Sequence, residues 1–186
     1  MASAFAHALA AVAVGKTYPK TYTSPKFWIL GVLCTILPDA DVVMFKFGVS
    51  YEHLLGHRGF SHSLVFALLL GVALTAIFYR SIKLTSKQGL GFILFFSFCT
   101  ASHILLDALT NGGLGVAVFA PLDNTRYFLP WRPIQVSPIG VSNFFSEWGW
   151  RVIKSEVLWV GLPAAIYLVI AGVIKSAKAR NKTARA

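Results

Sequence analysis

Apolar residues fall into runs along the chain, separated by short polar links. The runs predict five helices, because continuous apolar stretches of this length are typical of buried or membrane-spanning helices rather than of half-exposed strands. Three or four approach the roughly 20 residues needed to cross the hydrocarbon core of a bilayer, whereas the first is shorter. The five segments cover residues 2–14, 27–45, 60–79, 90–109 and 157–174.

Composition supports an all-α integral membrane bundle of about five apolar helices. Of the 186 residues, 56% are hydrophobic and 13% charged, and the mean hydropathy is +0.66, too apolar for a typical soluble domain. The formal charge of +10 would suggest nucleic acid in a soluble protein. Here Lys and Arg flank the apolar segments, at 16–26, 80–87 and 175–185, which is typical of membrane topology. No nucleic-acid partner is expected.

The basic clusters also predict an orientation. Cytoplasmic loops carry the excess of Lys and Arg, so all three clusters are expected in the cytoplasm, with the N-terminus outside. We interpret residues 1–186 as one membrane-embedded domain with a basic cytoplasmic tail at 175–186. Residues 112–155 are rich in Pro, Gly and Trp, which predicts a long ordered loop at the outer interface. Cys34 and Cys99 lie inside apolar runs and are expected to pack as small hydrophobes.

Half of the 5 histidines and 7 acidic residues stand in three motifs at the ends of apolar segments. Ionisable groups are costly there and tend to be functional. Asp39 and Asp41 stand in Leu-Pro-Asp-Ala-Asp, where Pro38 should disturb the helix. His57 and His62 straddle Gly59 in His-Arg-Gly-Phe-Ser-His-Ser. His103 and Asp107 are spaced i, i+4, on one helical face.

These positions predict a shared centre towards the outer face. Asp39 and His103 both lie about 20 Å from the cytoplasmic ends of their segments at 1.5 Å per residue, and His62 begins a helix on the outer side. The predicted metal ligands are His7, Asp39, His57, His62, His103 and Asp107. Such a set suits zinc, and also manganese, iron or nickel, as one or two ions. A His–carboxylate hydrogen bond without metal, and helix capping by Asp39 or Asp41, are the simpler alternatives.

Three further residues are candidates for catalysis. Arg58 and Arg132 can each bind an anionic oxygen, and Asp41 is either another ligand, a helix cap or part of the catalytic group. The aromatic residues around Arg132, Trp131 among them, could also anchor the loop at headgroup level. Ser61 is expected to cap the helix that follows it. Glu147 and Glu156 are possible additional ligands or bases.

The order of these motifs resembles the bacterial YdjM-like family of membrane-bound, metal-dependent hydrolases. The matching parts are His7, the Pro-Asp-Ala-Asp segment, residues 57–63 and residues 102–110, across the first two-thirds of the chain. That family is in turn similar to zinc-dependent phospholipase C and related single-strand nucleases. The resemblance implies a helical metal-site core with one metal on Asp39, His62, His103 and Asp107, and His7 and Asp107 contributing to a neighbouring one. The soluble enzymes carry further downstream histidines, whereas this chain has none after His103.

The leading hypothesis is therefore a metal-dependent hydrolase in the bacterial inner membrane. The ligands and the resemblance favour a phosphoester of a lipid or lipid-linked substrate, cleaved at the outer face. The alternative is a non-enzymatic protein that binds or transports metal ions or protons, since intramembrane His and Asp chains also mark ion pathways. A purely structural role for so many ionisable side chains is less favoured, because interhelical hydrogen bonds in membranes average well under 1 kcal/mol.

Overall fold

The protein is a helical bundle, in a computed structural model that describes residues 1–183. Among these residues the regular elements are all helical, with two isolated β-bridges in the connecting segments. The fold class expected from the sequence, an all-α bundle of apolar helices, is confirmed. The α-helices are α1 (Ala4–Gly15), α2 (Pro25–Ile36), α3 (Leu64–Phe78), α4 (Lys87–Ala108), α5 (Val141–Phe144), α6 (Glu147–Glu156) and α7 (Leu162–Thr183).

Short 3₁₀- and π-helical segments adjoin several of these α-helices. A 3₁₀ segment, Leu37–Phe47, continues α2, and a 3₁₀ turn, Phe60–His62, precedes α3. A π-helical turn, Val157–Gly161, joins α6 to α7. Pro38 sits in the first turn of the 3₁₀ segment, which agrees with the predicted break, because a proline interior to an α-helix removes a hydrogen bond and clashes with the preceding turn.

Three helical stretches are long and apolar enough to cross a membrane: Pro25–Phe47, Lys87–Ala108 and Glu147–Ala177. The shorter α1 and α3 have 12 and 15 residues, or about 18 and 22 Å at 1.5 Å per residue. Both are shorter than a hydrocarbon core of about 30 Å. The last stretch begins ten residues before the predicted start at Val157, since α6 runs unbroken into the π turn.

Helix α4 lies at the centre and packs against α1, α2 and α3. Its residues Phe92, Phe95, Phe96 and Cys99 belong to the main apolar core. Phe27 of α2 packs in the same core. Both cysteines are free and buried there. Helix α7 packs on the outside against α1, and most of its apolar side chains are exposed, which suits a surface facing lipid.

Serines set where the helices begin. Ser24, Ser63 and Ser86 each accept a hydrogen bond from a backbone N–H three residues later, at the starts of α2, α3 and α4. This is the usual N-cap geometry, which satisfies an otherwise unpaired donor. The predicted cap of α3 was Ser61, and that prediction is wrong. Residues 60–62 form a separate 3₁₀ turn, so the cap is Ser63 and Ser61 is left to another partner.

The bundle has two chemically different ends. Helices α2 and α4 start, and α1, α3 and α7 finish, at the end that carries the basic clusters. Lys26 Nζ donates to the carbonyl oxygen of Phe78 at 2.7 Å, which connects the first basic cluster to the end of α3. The opposite end carries the 3₁₀ segments and the end of α4, and there the His and Asp motifs meet. Residues 184–186 of the predicted basic tail lie outside the described residues.

Candidate metal centre

Three elements deliver four ligand-type side chains to one point. Asp39 comes from the 3₁₀ segment after α2, His62 from the turn before α3, and His103 and Asp107 from the last two turns of α4. The Pro38 break turns the chain over the end of α4. The i, i+4 spacing then places both α4 side chains on the face that this segment covers.

The distances fit a tetrahedral ion. His62 Nε2 lies 3.0 Å from His103 Nε2, and 3.5 Å from both Asp39 Oδ1 and Asp107 Oδ2. His103 Nε2 lies 3.4 Å from Asp39 Oδ1 and 3.9 Å from Asp107 Oδ2. Two ligands about 2.0–2.1 Å from a tetrahedral zinc ion are about 3.3 Å apart. The four atoms thus surround a space of the size that such an ion needs.

The outward hydrogen bonds of both imidazoles direct a lone pair into this space. His103 Nδ1 lies 2.6 Å from the carbonyl oxygen of Thr35, which can only accept, so Nδ1 carries the proton. His62 Nδ1 lies 3.2 Å from Asp41 Oδ2 and also donates outward. In the neutral rings both Nε2 atoms are then unprotonated and face each other. Hydrogen bonds of this kind fix the tautomer of metal-binding histidines.

The two carboxylates show the same pattern. Asp39 Oδ1 and Asp107 Oδ2 are buried and have no hydrogen-bond partner, although a buried polar atom without one is costly. Both atoms point at the Nε2 pair. A cation between the four atoms would satisfy the two oxygens and separate the two nitrogen lone pairs, so the residues present fit a divalent metal.

The charge of the cluster favours a cation. Three carboxylates, Asp39, Asp41 and Asp107, contact the imidazoles, and the cationic groups beside them are the Arg58 side chain and the N-terminal amine. One negative charge is then unbalanced, in a setting where isolated charge is strongly disfavoured. The site therefore attracts positive charge.

Asp41 lies beside the four ligands and accepts several hydrogen bonds. Its Oδ1 accepts from His57 Nδ1 at 2.6 Å. Its Oδ2 accepts from the Arg58 backbone N–H at 3.0 Å and from the Ser61 hydroxyl at 2.6 Å, and faces His62. Asp41, His57 and His62 also lie close enough to form a second group of possible ligands. A metal there would have to displace donors that already saturate Asp41, so the arrangement favours Asp41 and His57 as supports of His62.

Arg58 is fully buried beside Asp107. Its Nε lies 3.0 Å from Asp107 Oδ2, outside hydrogen-bond alignment, while its terminal nitrogens donate to the Gly112 carbonyl and the Thr110 hydroxyl. A φ of 61° places this non-glycine residue in the left-handed region, which is uncommon and turns the side chain inward. The sequence suggested a contact between Arg58 and substrate, whereas this geometry favours a role in orienting Asp107.

His7 lies next to the centre without joining the group of four. Its ring stacks on that of His103, with centroids 3.8 Å apart and planes 18° from parallel. Its Nε2 lies 3.5 Å from Asp107 Oδ1, the oxygen that faces away from the other imidazoles and accepts from the Ala2 N–H. Neither ring nitrogen has a hydrogen-bond partner. His7 therefore adds an unpaired buried imidazole on the far side of Asp107.

The other candidates lie further out. Arg132 is exposed and its guanidinium stacks over the Phe128 ring at 4.6 Å. Trp131 is exposed and meets the Trp159 ring edge-on. Glu156 is buried and accepts hydrogen bonds from the backbone N–H and hydroxyl of Ser3, and Glu147 lies in the first turn of α6.

Sequence reasoning missed two kinds of contributor. The Thr35 carbonyl orients His103, and backbone groups leave no signature in a residue pattern. Arg126 donates to the carbonyl oxygens of His57 and Tyr51 at 2.7 and 2.6 Å, which ties the outer segment to the histidine turn. The sequence does not show the partners of Arg126, because they are again backbone atoms. Of the four central side chains, Asp39 has the largest exposed fraction, at 12%, although its Oδ1 atom, which faces the imidazoles, is buried.

Fold and site together define a helical membrane protein with a buried His/Asp centre at one end of the bundle. The chain belongs to the YdjM family: a model described as YdjM inner membrane protein matches residues 1–178. The inner membrane protein YbcI of Escherichia coli (strain K12) is 37% identical over 171 residues, which is 90% of this chain and 95% of that protein. No solved structure matches the chain, so a phospholipase C-like core stays a prediction.

Proposed function

We propose that this protein is a membrane-bound, metal-dependent hydrolase that cleaves a phosphoester of a lipid or lipid-linked substrate at the outer face of the bacterial inner membrane. The observation that carries the proposal is the convergence of two imidazole and two carboxylate ligand atoms from three elements, all within 4.8 Å of one another. Imidazole and carboxylate ligands without cysteine are typical of metal sites that act on substrates rather than of purely structural ones.

Asp39, His62, His103 and Asp107 are the residues that would hold the ion. Two nitrogens and two oxygens at tetrahedral separations suit zinc best, and manganese, iron and nickel accept the same donors. Held there, the ion would supply Lewis-acid activation of water and of a phosphoryl oxygen. A His7 ring nitrogen and Asp107 Oδ1 could be ligands of a second, neighbouring ion. That ion would have two protein ligands, compared with four for the first.

The remaining residues have supporting roles in this proposal. Asp41 keeps the His62 ring in the tautomer whose Nε2 faces the centre, and His57 and Ser61 hold Asp41. Arg58 orients Asp107 and balances part of its charge. Arg132, exposed on the outer segment, remains the candidate for contact with an anionic headgroup, because an exposed guanidinium can still bind a phosphate bidentately.

A groove near the same end supports a lipid substrate. A cavity of about 340 Å³ lies between α1 and the α6–α7 junction, lined by Phe5, Leu9, Val157 and Val160 among others. Its polar member, Glu156, is hydrogen-bonded to Ser3, whose neighbour Ala2 donates to Asp107. Only Ser3 and Ala2 thus lie between Glu156 in the apolar groove and Asp107, a ligand of the centre. A hydrocarbon chain in this groove would bring its headgroup towards the ligands.

The arrangement disfavours the transport alternative. Ion pathways need polar groups in series across the membrane, but here the ligands form one cluster at one end. Below His103, helix α4 presents Cys99, Phe96 and Phe95, all fully buried in the aromatic core. Between the centre and the basic end, the core of the described bundle is mainly apolar, with buried hydroxyl groups such as that of Thr100 but no buried charged side chain.

The hydrolase proposal is tested by loading purified, chelator-treated protein in lipid nanodiscs with Zn²⁺ or Mn²⁺ and assaying chromogenic phosphodiesters and phospholipids. We expect hydrolysis that chelator abolishes and metal restores, and that Asp39→Asn removes. Asp123→Asn, an exposed acid on the outer segment, is the matched control and should keep full activity. A metal-loaded protein that hydrolyses none of these substrates would overturn the hydrolase proposal while leaving the metal centre standing.

Orientation is tested separately. The positive-inside rule predicts that a reporter fused after Arg185 reads as cytoplasmic and that one inserted near Asn124 reads as external. The opposite pattern would place the centre on the cytoplasmic side and exclude a substrate in the outer leaflet.

A further inference from the structure

A second groove lies at the basic end of the bundle, far along the helices from the metal centre. It has a volume of about 720 Å³ and separates the segment after α1 from the middle of α7. This volume is within the range of about 300–1,000 Å³ typical of ligand sites. We call it the basic-end groove; it is lined by Lys16, Thr17, Tyr18, Pro19, Leu168, Ala171, Gly172, Ile174 and Lys175.

A hydrogen bond and small side chains keep the basic-end groove open. Tyr167 Oη donates to Thr17 Oγ1 at 3.2 Å, which fixes the distance between its two walls. Its floor on α7 has small side chains at Ala171 and Gly172, and a Cβ added at Gly172 would meet no atom within 4 Å. The depth therefore comes from the absence of side-chain volume.

The charge around the groove has one sign. Lys16 and Lys175 stand on opposite walls, and the segments that carry them contain no acid. All 7 acidic residues of the chain lie between positions 39 and 156. None of them lies in α1, in the loop after α1 or in α7. An anion at the basic-end groove would meet two ammonium groups and no competing carboxylate.

The floor is apolar and continuous with the lipid-facing surface of α7, where Val169, Ile170 and Val173 are exposed. A free soluble anion would gain nothing from this floor. A phospholipid satisfies both parts of the groove, because its phosphate can meet the lysines while one acyl chain lies along α7. Basic pockets between membrane helices are a known mode of recognition for anionic headgroups.

We propose that the basic-end groove binds an anionic phospholipid, with its phosphate between Lys16 and Lys175 and an acyl chain along Leu168 to Gly172. The site is independent of the metal centre and of the proposed hydrolysis. It adds a specific lipid contact between α7 and the loop after α1, two elements that otherwise pack at the outside of the bundle.

The test uses the full chain in detergent micelles and measures bound lipid by native mass spectrometry. The probes are phosphatidylglycerol, phosphatidylcholine and inorganic phosphate. We expect wild-type protein to retain phosphatidylglycerol in preference to the other two. Lys16→Gln and Lys175→Gln should each weaken that binding about fivefold, equivalent to the roughly 1 kcal/mol that one basic side chain contributes at an anionic surface. Gly172→Leu fills the floor and should abolish the preference with both lysines in place.

Lys83→Gln and Lys87→Gln are the matched controls, since they remove the same charge at the same end but away from the groove. They should leave phosphatidylglycerol binding unchanged, and metal content should be unchanged in every variant. Equal retention of phosphatidylcholine would overturn the proposal, as would an equal loss of binding in the control variants. Binding of inorganic phosphate as tight as that of the lipid would show a soluble-anion site and would equally contradict it.

Discussion

The two halves of helix α4 both carry fully buried side chains, but these are held in different ways. In the first half, Phe95 stacks on Phe27 with ring centroids 3.9 Å apart, inside an apolar cluster. In the second, His103 and Asp107 are fully buried among charged and polar groups. Apolar packing is non-directional and tolerates swaps that conserve volume, whereas a buried charge depends on each partner. We therefore expect volume-conserving substitutions in the first half to be tolerated. Substitution of any charged partner in the second half should disturb the metal centre.

The largest effect is expected from Asp107→Ala. It removes a ligand and leaves Arg58 buried without its carboxylate. Breaking a buried pair in this way costs about 3–5 kcal/mol, and bound metal should be lost. Metal content and a thermal melt in detergent are the measurements, with Asp107→Asn as the variant that keeps the shape. Full metal and full activity in Asp107→Ala would disprove the proposed centre.

In the apolar half, Phe95→Ala should destabilise without touching the chemistry. We expect a loss of about 3 kcal/mol, the lower end of the range for such truncations, because a bilayer contributes less driving force than water while the lost packing remains. Variant protein purified below its melting temperature should bind metal at the wild-type ratio. Loss of metal with an unchanged melt would mean that the two halves are not separable.

Arg58→Ala distinguishes orientation of Asp107 from contact with substrate. Arg58 is the buried partner of Asp107, so we expect a destabilisation of about 3 kcal/mol, the lower end of the range for breaking a buried ion pair, together with weaker metal binding. Metal affinity and turnover are measured on the same preparation. Unchanged affinity with turnover lowered about a hundredfold, as for loss of one donor to a developing oxyanion, would restore the direct substrate role.

Asp41→Asn should have the smallest effect on folding stability and should act mainly on metal affinity. Loss of the partner that fixes a metal-binding histidine typically costs 10–100-fold in affinity, or about 1.4–2.7 kcal/mol. Titration of chelator-treated protein with Zn²⁺ gives the affinity, and Asp123→Asn on the exposed outer segment serves for comparison. Wild-type affinity in Asp41→Asn would show that His62 keeps its orientation unaided.

The sequence predicted the elements better than their junctions. Apolar runs gave the helices because membrane segments need continuous apolar length, and the i, i+4 pair on α4 follows from helical period alone. The Ser61 cap was misassigned because the residues before α3 form a 3₁₀ turn, which shifts the cap to Ser63. The last helix begins earlier than hydropathy indicated, because the amphipathic α6 runs into the apolar α7. The inward turn of Arg58 and the Thr35 carbonyl depend on backbone geometry that residue types do not encode.

The most direct test of the account is the metal itself. Purified wild-type protein is analysed for bound elements, and the coordination is measured by X-ray absorption. We predict one divalent ion per chain, bound by two imidazole nitrogens and carboxylate oxygens at about 2.0–2.2 Å, and lost in a His62→Ala/His103→Ala double variant. Protein that binds no divalent metal after supplementation, or that binds the same amount with both histidines removed, would contradict the central claim.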